Sequence, residues 1–256
     1  MYCGVRKTGD GEALLAAARS GKVIPIVIDV TKAEDIEAVA TQLAASDLPL
    51  VAVVNNAGVG GIRPWEYTDE AYNRWIFDVN YFGAINLTTR LLSQLKASKG
   101  RVIYVSSVAG VIPASPGWGV YAASKAAGEM WLDSLRQEME QHGVSVSGIN
   151  PAMVTTPIIS KIKAHVPPAE GVKAYPNVWG PASMAMMDHA ITLAEEAAVT
   201  TTPTIIDSIT NPFPKTRYYS SNFDGTPAFV AARLMAILPA RVIDAMQRAA
   251  AAGYTK

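Results

Sequence analysis

The sequence predicts an α/β protein built on a doubly wound parallel sheet, carried by a single domain over residues 1–256. Three observations predict it. Short runs rich in Val, Ile and Leu alternate with longer stretches whose apolar residues recur at helical spacing, the pattern of βαβ units. Of the 256 residues half are apolar and only 17% are charged, enough for one sizeable core and too apolar for a disordered chain. Polar motifs recur where the apolar runs end, and open parallel sheets bind ligands at the carboxyl ends of their strands.

The chain opens at Met1–Arg6 with a strand already under way, followed by a helix at about Gly11–Ser20. Strands follow at Val23–Ile28, Leu50–Val54, Arg101–Ser106 and Val144–Ile149, with the composition of strands covered on both faces. Helices are expected at Lys32–Ala45, Asp69–Ser98 and Val120–His142, the last closed by Gly143 as a C′ glycine. Gly9-Asp10-Gly11 stands before the first helix, but a third glycine is lacking and Asp10 would repel a pyrophosphate, so it reads as an ordinary turn. Residues 157–181 form a long Pro-rich stretch dotted with apolar residues, and 226–250 read as C-terminal helices.

Several classes of function are excluded by composition. Twenty-two basic and twenty-two acidic residues cancel, so nothing favours nucleic acid or an anionic membrane surface. The lone Cys3 cannot form an internal disulfide and reads as a small core residue. No charged and then apolar leader opens the sequence, and the uncharged run Val102–Ser124 is broken by Pro113, Pro116 and glycines, so no membrane span and a cytoplasmic location are expected. His142, His165 and His189 lack ligand-like spacing, so no metal site is expected, and no Gly-x-Ser-x-Gly elbow offers a hydrolase nucleophile.

Chemistry concentrates in an ordered set of motifs. Tyr121-Ala-Ala-Ser-Lys125 puts a phenol and an ammonium on one helical face. Such a pair arises by chance about 0.4 times per chain of this composition, so its context carries the weight. Upstream stand Asn55-Asn56-Ala57-Gly58 at a strand end, Asn80 within a helix that disfavours Asn, and Ser106-Ser107 at the next strand end. Downstream, Pro151-Ala-Met-Val-Thr-Thr156 follows another strand. A free tyrosine titrates near about 10, and a neighbouring ammonium would favour the phenolate and lower that value. Tyr121 would then act as general acid in one direction and general base in the other, while Ser107 hydrogen-bonds a substrate oxygen.

In this order the motifs resemble the short-chain dehydrogenase/reductase family, and within it the branch of retinol and hydroxysteroid dehydrogenases. Further likeness lies in Asp29-Val30, Asp78-Val-Asn-Tyr-Phe-Gly83, Gly100-Arg-Val-Ile-Tyr-Val-Ser-Ser107, and Thr216-Arg-Tyr218 before Leu238-Pro239, and it runs from Met1 to about Met246. The resemblance implies a Rossmann-like fold and an NAD(P)-dependent oxidoreductase interconverting a primary or secondary alcohol and its carbonyl, on a lipophilic steroid- or retinoid-like substrate. It implies catalytic roles for Asn80, Ser107, Tyr121 and Lys125, with Lys125 on the nicotinamide ribose and Asn80 holding a water that leads to Lys125. Asp29 would face the adenine amino group and Val30 its ring, and the backbone of Asn56, Ala57 and Gly58 the adenine-ribose side. Pro151, Val154 and Thr156 would meet the nicotinamide end, although Ala152 stands where the family has glycine. Arg6, or Lys7, could pair with a 2′-phosphate, which favours NADP, with NAD as the alternative. Residues 157–181 would form the substrate lid, and Ile112, Pro116, Trp118 and Met153 would complete an apolar pocket. The helices Asp69–Ser98 and Val120–His142, with Trp131 and Leu132, would make the contact of a homo-oligomer.

Relative to the family, the first strand and its Gly-rich turn do not appear in the sequence. Their place lies between the strands Met1–Arg6 and Leu50–Val54, so unpaired inner edges and weak dinucleotide binding are expected, with the Ser107–Tyr121–Lys125 arrangement retained. A catalytically impaired relative acting as a binding protein is therefore the second reading. Nucleotide-sugar epimerase or dehydratase chemistry, which shares the Tyr–Lys spacing, is disfavoured by Asn55–Gly58 and by the short C-terminal portion.

Overall fold

The computed structural model describes residues 1–19, 22–154, 156, 158, 169–181, 183–185, 188–189, 192, 200–223 and 226–253. The alternating pattern folds as β1 (Tyr2–Val5), α1 (Thr8–Ala17), β2 (Ile24–Val27), α2 (Ala33–Ala44), β3 (Ala52–Asn55), α3 (Glu70–Phe77), α4 (Gly83–Ser98), β4 (Arg101–Val105), α5 (Gly119–Glu140) and β5 (Ser145–Pro151). After these come two short helices, α6 (Ala169–Ala174) and α7 (Pro176–Trp179), then α8 (Thr202–Thr210) and β6 (Arg217–Ser220). A small hairpin of β7 (Asn222–Phe223) and β8 (Thr226–Pro227) leads into α9 (Ala228–Ile237) and α10 (Ala240–Gly253). Among the described residues no helix is long and apolar enough to cross a membrane.

Strands β3-β4-β5-β6 form one parallel sheet, with Ala52 opposite Arg101, Val105 opposite Ile149 and Pro151 opposite Ser220. β1 and β2 form a separate parallel pair, Tyr2 opposite Ile24 and Val5 opposite Val27. Among the described residues β1 and β3 do not pair, and each carries a ladder on one edge, as the sequence led us to expect. The β1–β2 pair is tied to the rest through α2, which lies on α4: Gln94 donates to the Ala40 carbonyl at 3.4 Å and Arg90 pairs with Glu37.

Period-two alternation sorts the β4 and β5 side chains to the two faces. Val102, Tyr104 and Val146 pack with Leu91 and Leu95 of α4 and Leu132, Leu135 and Met139 of α5. Ile103 and Ile149 pack on the other face with Tyr218 of β6, against Ile205 and Ile209 of α8. Helices thus cover both faces of the sheet, and every ladder within the β1–β2 pair and the β3–β6 sheet is parallel.

Several local expectations change. The helix expected at Gly11–Ser20 spans Thr8–Ala17, which places Gly9-Asp10-Gly11 inside it rather than in a turn. Gly11 is there because α1 crosses close to β2; a Cβ at Gly11 would stand 2.9 Å from Pro25 Cβ. The long helix expected at Asp69–Ser98 starts at Glu70, where the Asp69 carboxylate accepts from the Tyr72 N–H at 2.7 Å. It is then interrupted by a π-helical turn at Asp78–Phe82. Finally, Leu132 is buried in this chain's own core, and Trp131 packs against that core while staying half-buried. Cys3, free and only half-buried on β1, is not a core residue. Gly143 does end the α5 region with φ +69°, in the left-handed conformation that glycine tolerates.

Candidate active site

Because the strands are parallel, their carboxyl ends lie along one edge, and the candidate residues follow them. Ser107 comes just after β4 in extended backbone and caps a single 3₁₀ turn, its Oγ accepting from the Ala109 N–H at 3.2 Å. The Ser107 carbonyl accepts from the fully buried Asn150 at 3.3 Å, which fixes the β4 end to β5. α5 begins at Gly119, so Tyr121 enters in its first turn and Lys125 follows one turn later. The Ser107 side chain lies close enough to the Tyr121 phenol to act on its titration.

Electrostatics around this pair are set by exclusion of water. Burial raises the Tyr121 phenol above its ordinary value, and the neighbouring Ser107 hydroxyl works the other way. Lys125 is 4% exposed; its Nζ donates to the Val105 carbonyl at 2.9 Å and lies 6.0 Å from the Tyr121 ring centroid. Burial lowers the Lys125 ammonium to about 8, with Glu129 opposing. The expectation that the ammonium lowers Tyr121 is therefore corrected. Desolvation prevails for both groups, and the ammonium turns its hydrogen bond to a backbone carbonyl. Tyr121 stands protonated at neutral pH, ready to give a proton.

Asn80 lies on the π turn, fully buried. Its Oδ1 accepts from the Val59 N–H at 2.8 Å, and its Nδ2 donates to the Val59 carbonyl and to Ser124 Oγ, both at 3.0 Å. Ser124 in turn donates to the Tyr121 carbonyl at 2.7 Å. One amide thus joins the loop after β3 to the first turn of α5. Gly58 sits beside both: a Cβ there would be 3.6 Å from Asn80 Oδ1 and from Lys125 Nζ. Asn55 anchors the end of β3 by donating to Thr88 Oγ1 at 2.9 Å, leaving Asn56 and Ala57 exposed.

The other candidates for a dinucleotide also lie at strand ends. Arg6 follows β1 and Asp29 follows β2, two adjacent strands. The Asp29 carboxylate accepts from the Thr31 N–H at 3.0 Å and hydroxyl at 2.7 Å; these bonds, and more weakly the charges of Arg6 and Lys32, hold it below the ordinary carboxylate value. Val30 packs against Gly83 at the start of α4. Pro151 closes β5 and is buried, Val154 is half-buried and Thr156 is exposed. A carboxylate and a guanidinium at the ends of two paired strands suit the adenine-ribose end of a dinucleotide, while the described residues offer no Gly-rich turn for its pyrophosphate.

Above Tyr121 lies an apolar cluster. Ile62, Val178 and Trp179 are its buried members, and Trp118, Met153, Ile158, Val172 and Tyr175 pack on them. Trp118 meets the Tyr121 ring edge-on, centroids 5.6 Å apart. Described members of 157–181, Ile158, Val172, Tyr175, Val178 and Trp179, belong to this cluster; residues 157 and 159–168 lie outside the described residues. Ile112 does not join the cluster: it lines a cavity of about 570 Å³ with Met130, Leu238 and Ile243. Sequence reading missed Ile62, Val178, Ser124 and Asn150. Only Ser124 carried a signal, standing three residues after Tyr121 on the same helical face.

Comparison with known proteins follows the same line. A short chain dehydrogenase family model matches residues 5–167. The chain belongs to the short-chain dehydrogenase family. This short-chain dehydrogenase is 37% identical to the uncharacterized oxidoreductase YbbO of Escherichia coli over 158 residues, 61% of the chain and 57% of YbbO, so the match spans little more than half of that relative. It is 31% identical to retinol dehydrogenase 5 of Mus musculus over 93% of the chain and 77% of that protein. A short chain dehydrogenase from Burkholderia cenocepacia, solved in complex with NADP, superposes with a TM-score of 0.64 at 25% identity, over 96% of this chain and 85% of its own.

Proposed function

We propose that this short-chain dehydrogenase is an NADP-dependent oxidoreductase interconverting a lipophilic alcohol and its carbonyl compound, with NAD the alternative cofactor. The observation that carries the reading is the Ser107 side chain beside the Tyr121 phenol, with the buried Lys125 ammonium one helical turn along α5 and 6.0 Å from the Tyr121 ring centroid. Asp29, the loop Asn56–Gly58, Pro151, Val154 and Thr156 would hold the dinucleotide, Lys125 its nicotinamide ribose and Arg6 a 2′-phosphate. When bound, the nicotinamide supplies or takes up the hydride. Tyr121 gives its phenolic proton to the carbonyl oxygen in reduction and takes it back in oxidation. Ser107 donates a hydrogen bond to the same oxygen as charge develops there. Lys125 eases the passage through phenolate by placing positive charge nearby. Asn80, through Val59 and Ser124, keeps these groups in register.

Support for a lipophilic substrate comes from the apolar cluster over Tyr121. Relatives named retinol dehydrogenase 5 and estradiol 17-beta-dehydrogenase 2 point the same way. A homo-oligomer through the helical stretches 69–98 and 120–142 belongs to the same reading; the exposed Trp75 of α3, Phe82 of the π turn and Met130 of α5 support it, and sedimentation tests it. The deciding experiment measures NADPH binding by fluorescence, then NADPH consumption with steroid- and retinoid-sized carbonyl compounds. Tyr121→Phe should bind NADPH as the wild type does and lose at least about 100-fold in turnover. Near-wild-type turnover by Tyr121→Phe overturns the mechanism, and absence of NADPH and NADH binding overturns the oxidoreductase reading in favour of a binding protein.

A further inference from the structure

Tyr104 lies in the middle of β4 with its side chain fully buried, and none of the chemistry above uses it. Its place depends on Gly128 of α5. A Cβ at Gly128 would stand 2.4 Å from Tyr104 Cε1 and 2.5 Å from its hydroxyl oxygen, so the ring occupies the volume any larger residue there would need. Trp131 closes the other side, edge-on at 5.8 Å between centroids. From this slot the hydroxyl donates to the Asn80 carbonyl at 2.8 Å. The ring lies 5.1 Å from Lys125 Nζ. One side chain thus touches the backbone of one site residue and the ammonium of another.

Both contacts have consequences. Asn80 sits in the π turn Asp78–Phe82, an insertion into helical geometry of the kind that recurs at functional sites and depends on outside partners to hold its carbonyls. That turn aims the amide that clamps Val59 and Ser124. An aromatic face next to an ammonium stabilises the charged form. The other titratable groups facing Lys125 are Tyr121 and Glu129 on α5, and Glu129 is itself paired with Arg217 of β6. Burial holds the Tyr104 phenol far above its ordinary value, with Tyr121, Glu129 and Tyr81 adding to the effect, so Tyr104 remains a donor wherever the protein is folded.

We propose that Tyr104 is a positioning residue for the site: its hydroxyl fixes the π turn that carries Asn80, and its ring face holds the Lys125 ammonium. The inference rests on the site assignment above, and its test needs no turnover, so it fails or stands separately from the proposed reaction. Tyr104→Phe removes the hydroxyl and keeps the ring; Tyr104→Leu removes both. Amide exchange at Val59, whose N–H is held by Asn80, should quicken about fivefold in Tyr104→Phe. In protein carrying ¹³C-labelled lysine, the Lys125 signal, assigned by its loss in Lys125→Arg, should keep its titration midpoint in Tyr104→Phe. In Tyr104→Leu that midpoint should fall by about half a pH unit or more. Unchanged exchange at Val59 in Tyr104→Phe overturns the proposal, and so does a midpoint that stays or rises in Tyr104→Leu. Should Tyr104→Leu fail to fold, Tyr104→Phe, which leaves the packing in place, decides alone.

Discussion

Lys125→Met takes an ammonium out of a site where Lys125 is only 4% exposed, while keeping much of its volume. Burial lowers this lysine from 10.5 to about 8 in the folded chain, whereas in the unfolded chain it holds its proton to the ordinary value. Below about pH 8 both states carry the proton, and folding bears the whole cost of a buried charge. Between about 8 and 10.5 the unfolded chain binds more protons than the folded one, so wild-type stability rises with pH through that window. Above it both states are neutral and the cost is gone. The gap between 10.5 and about 8 corresponds to roughly 3 kcal/mol at 1.36 kcal/mol per pKa unit. Methionine has no proton to bind, so its stability relative to the wild type should fall by roughly 3 kcal/mol from pH 7 to 10.5. The lost hydrogen bond to Val105 adds a constant offset and leaves the slope alone, and Tyr121 titrates in both proteins. Urea unfolding of the two proteins at intervals across this range, followed by circular dichroism, measures the difference. A difference independent of pH, or one that grows in favour of methionine, would refute the assignment of a desolvated ammonium.

Arg217→Met strips the buried Glu129 of its 2.7 Å partner and should cost about 3–5 kcal/mol in chemical denaturation, with Glu129→Met/Arg217→Met recovering at least half. An additive double variant would mean that the pair is not coupled. Gly117→Ala forces a side chain onto φ +82° and toward Val178 Cγ1, 2.5 Å from the new Cβ, so the melting temperature should drop by roughly 4 °C or more; an unchanged value speaks against this packing of α7 under the apolar cluster. In amide exchange, β4 and β5, bonded on both sides, should be the slowest strands, and β1 and β3, each paired on one edge among the described residues, should exchange faster. The opposite order would contradict the division of the sheet.

Much of this protein can be read along the chain because the relevant physics is local. Alternation in Val102-Ile103-Tyr104 is enough to assign two sheet faces, since successive side chains of a strand point opposite ways. Spacing alone puts Tyr121 and Lys125 on one side of a helix, and the ends of the apolar runs mark the edge where Ser107, Asn55–Gly58 and Pro151 gather. What could not be read depends on neighbours distant in sequence. The π turn adds one residue to a helix without disturbing its apolar pattern, so Asp69–Ser98 looked continuous. Gly9 and Gly11 looked like turn residues because their propensity says so, yet both lie in α1, and at Gly11 the closeness of Pro25 makes glycine the residue that fits. Ile62 and Val178, more than a hundred residues apart, meet over Tyr121, while Ile112, much nearer in sequence, faces another cavity. The protonation of the site follows the same rule. Residue types name an acid and a base, but the direction in which each is shifted depends on how much water the assembled fold removes. Here the packing of α5 against β4 turned the expected lowering of Tyr121 into a rise, because desolvation acts through every atom that surrounds the phenol, and those atoms come from the whole chain.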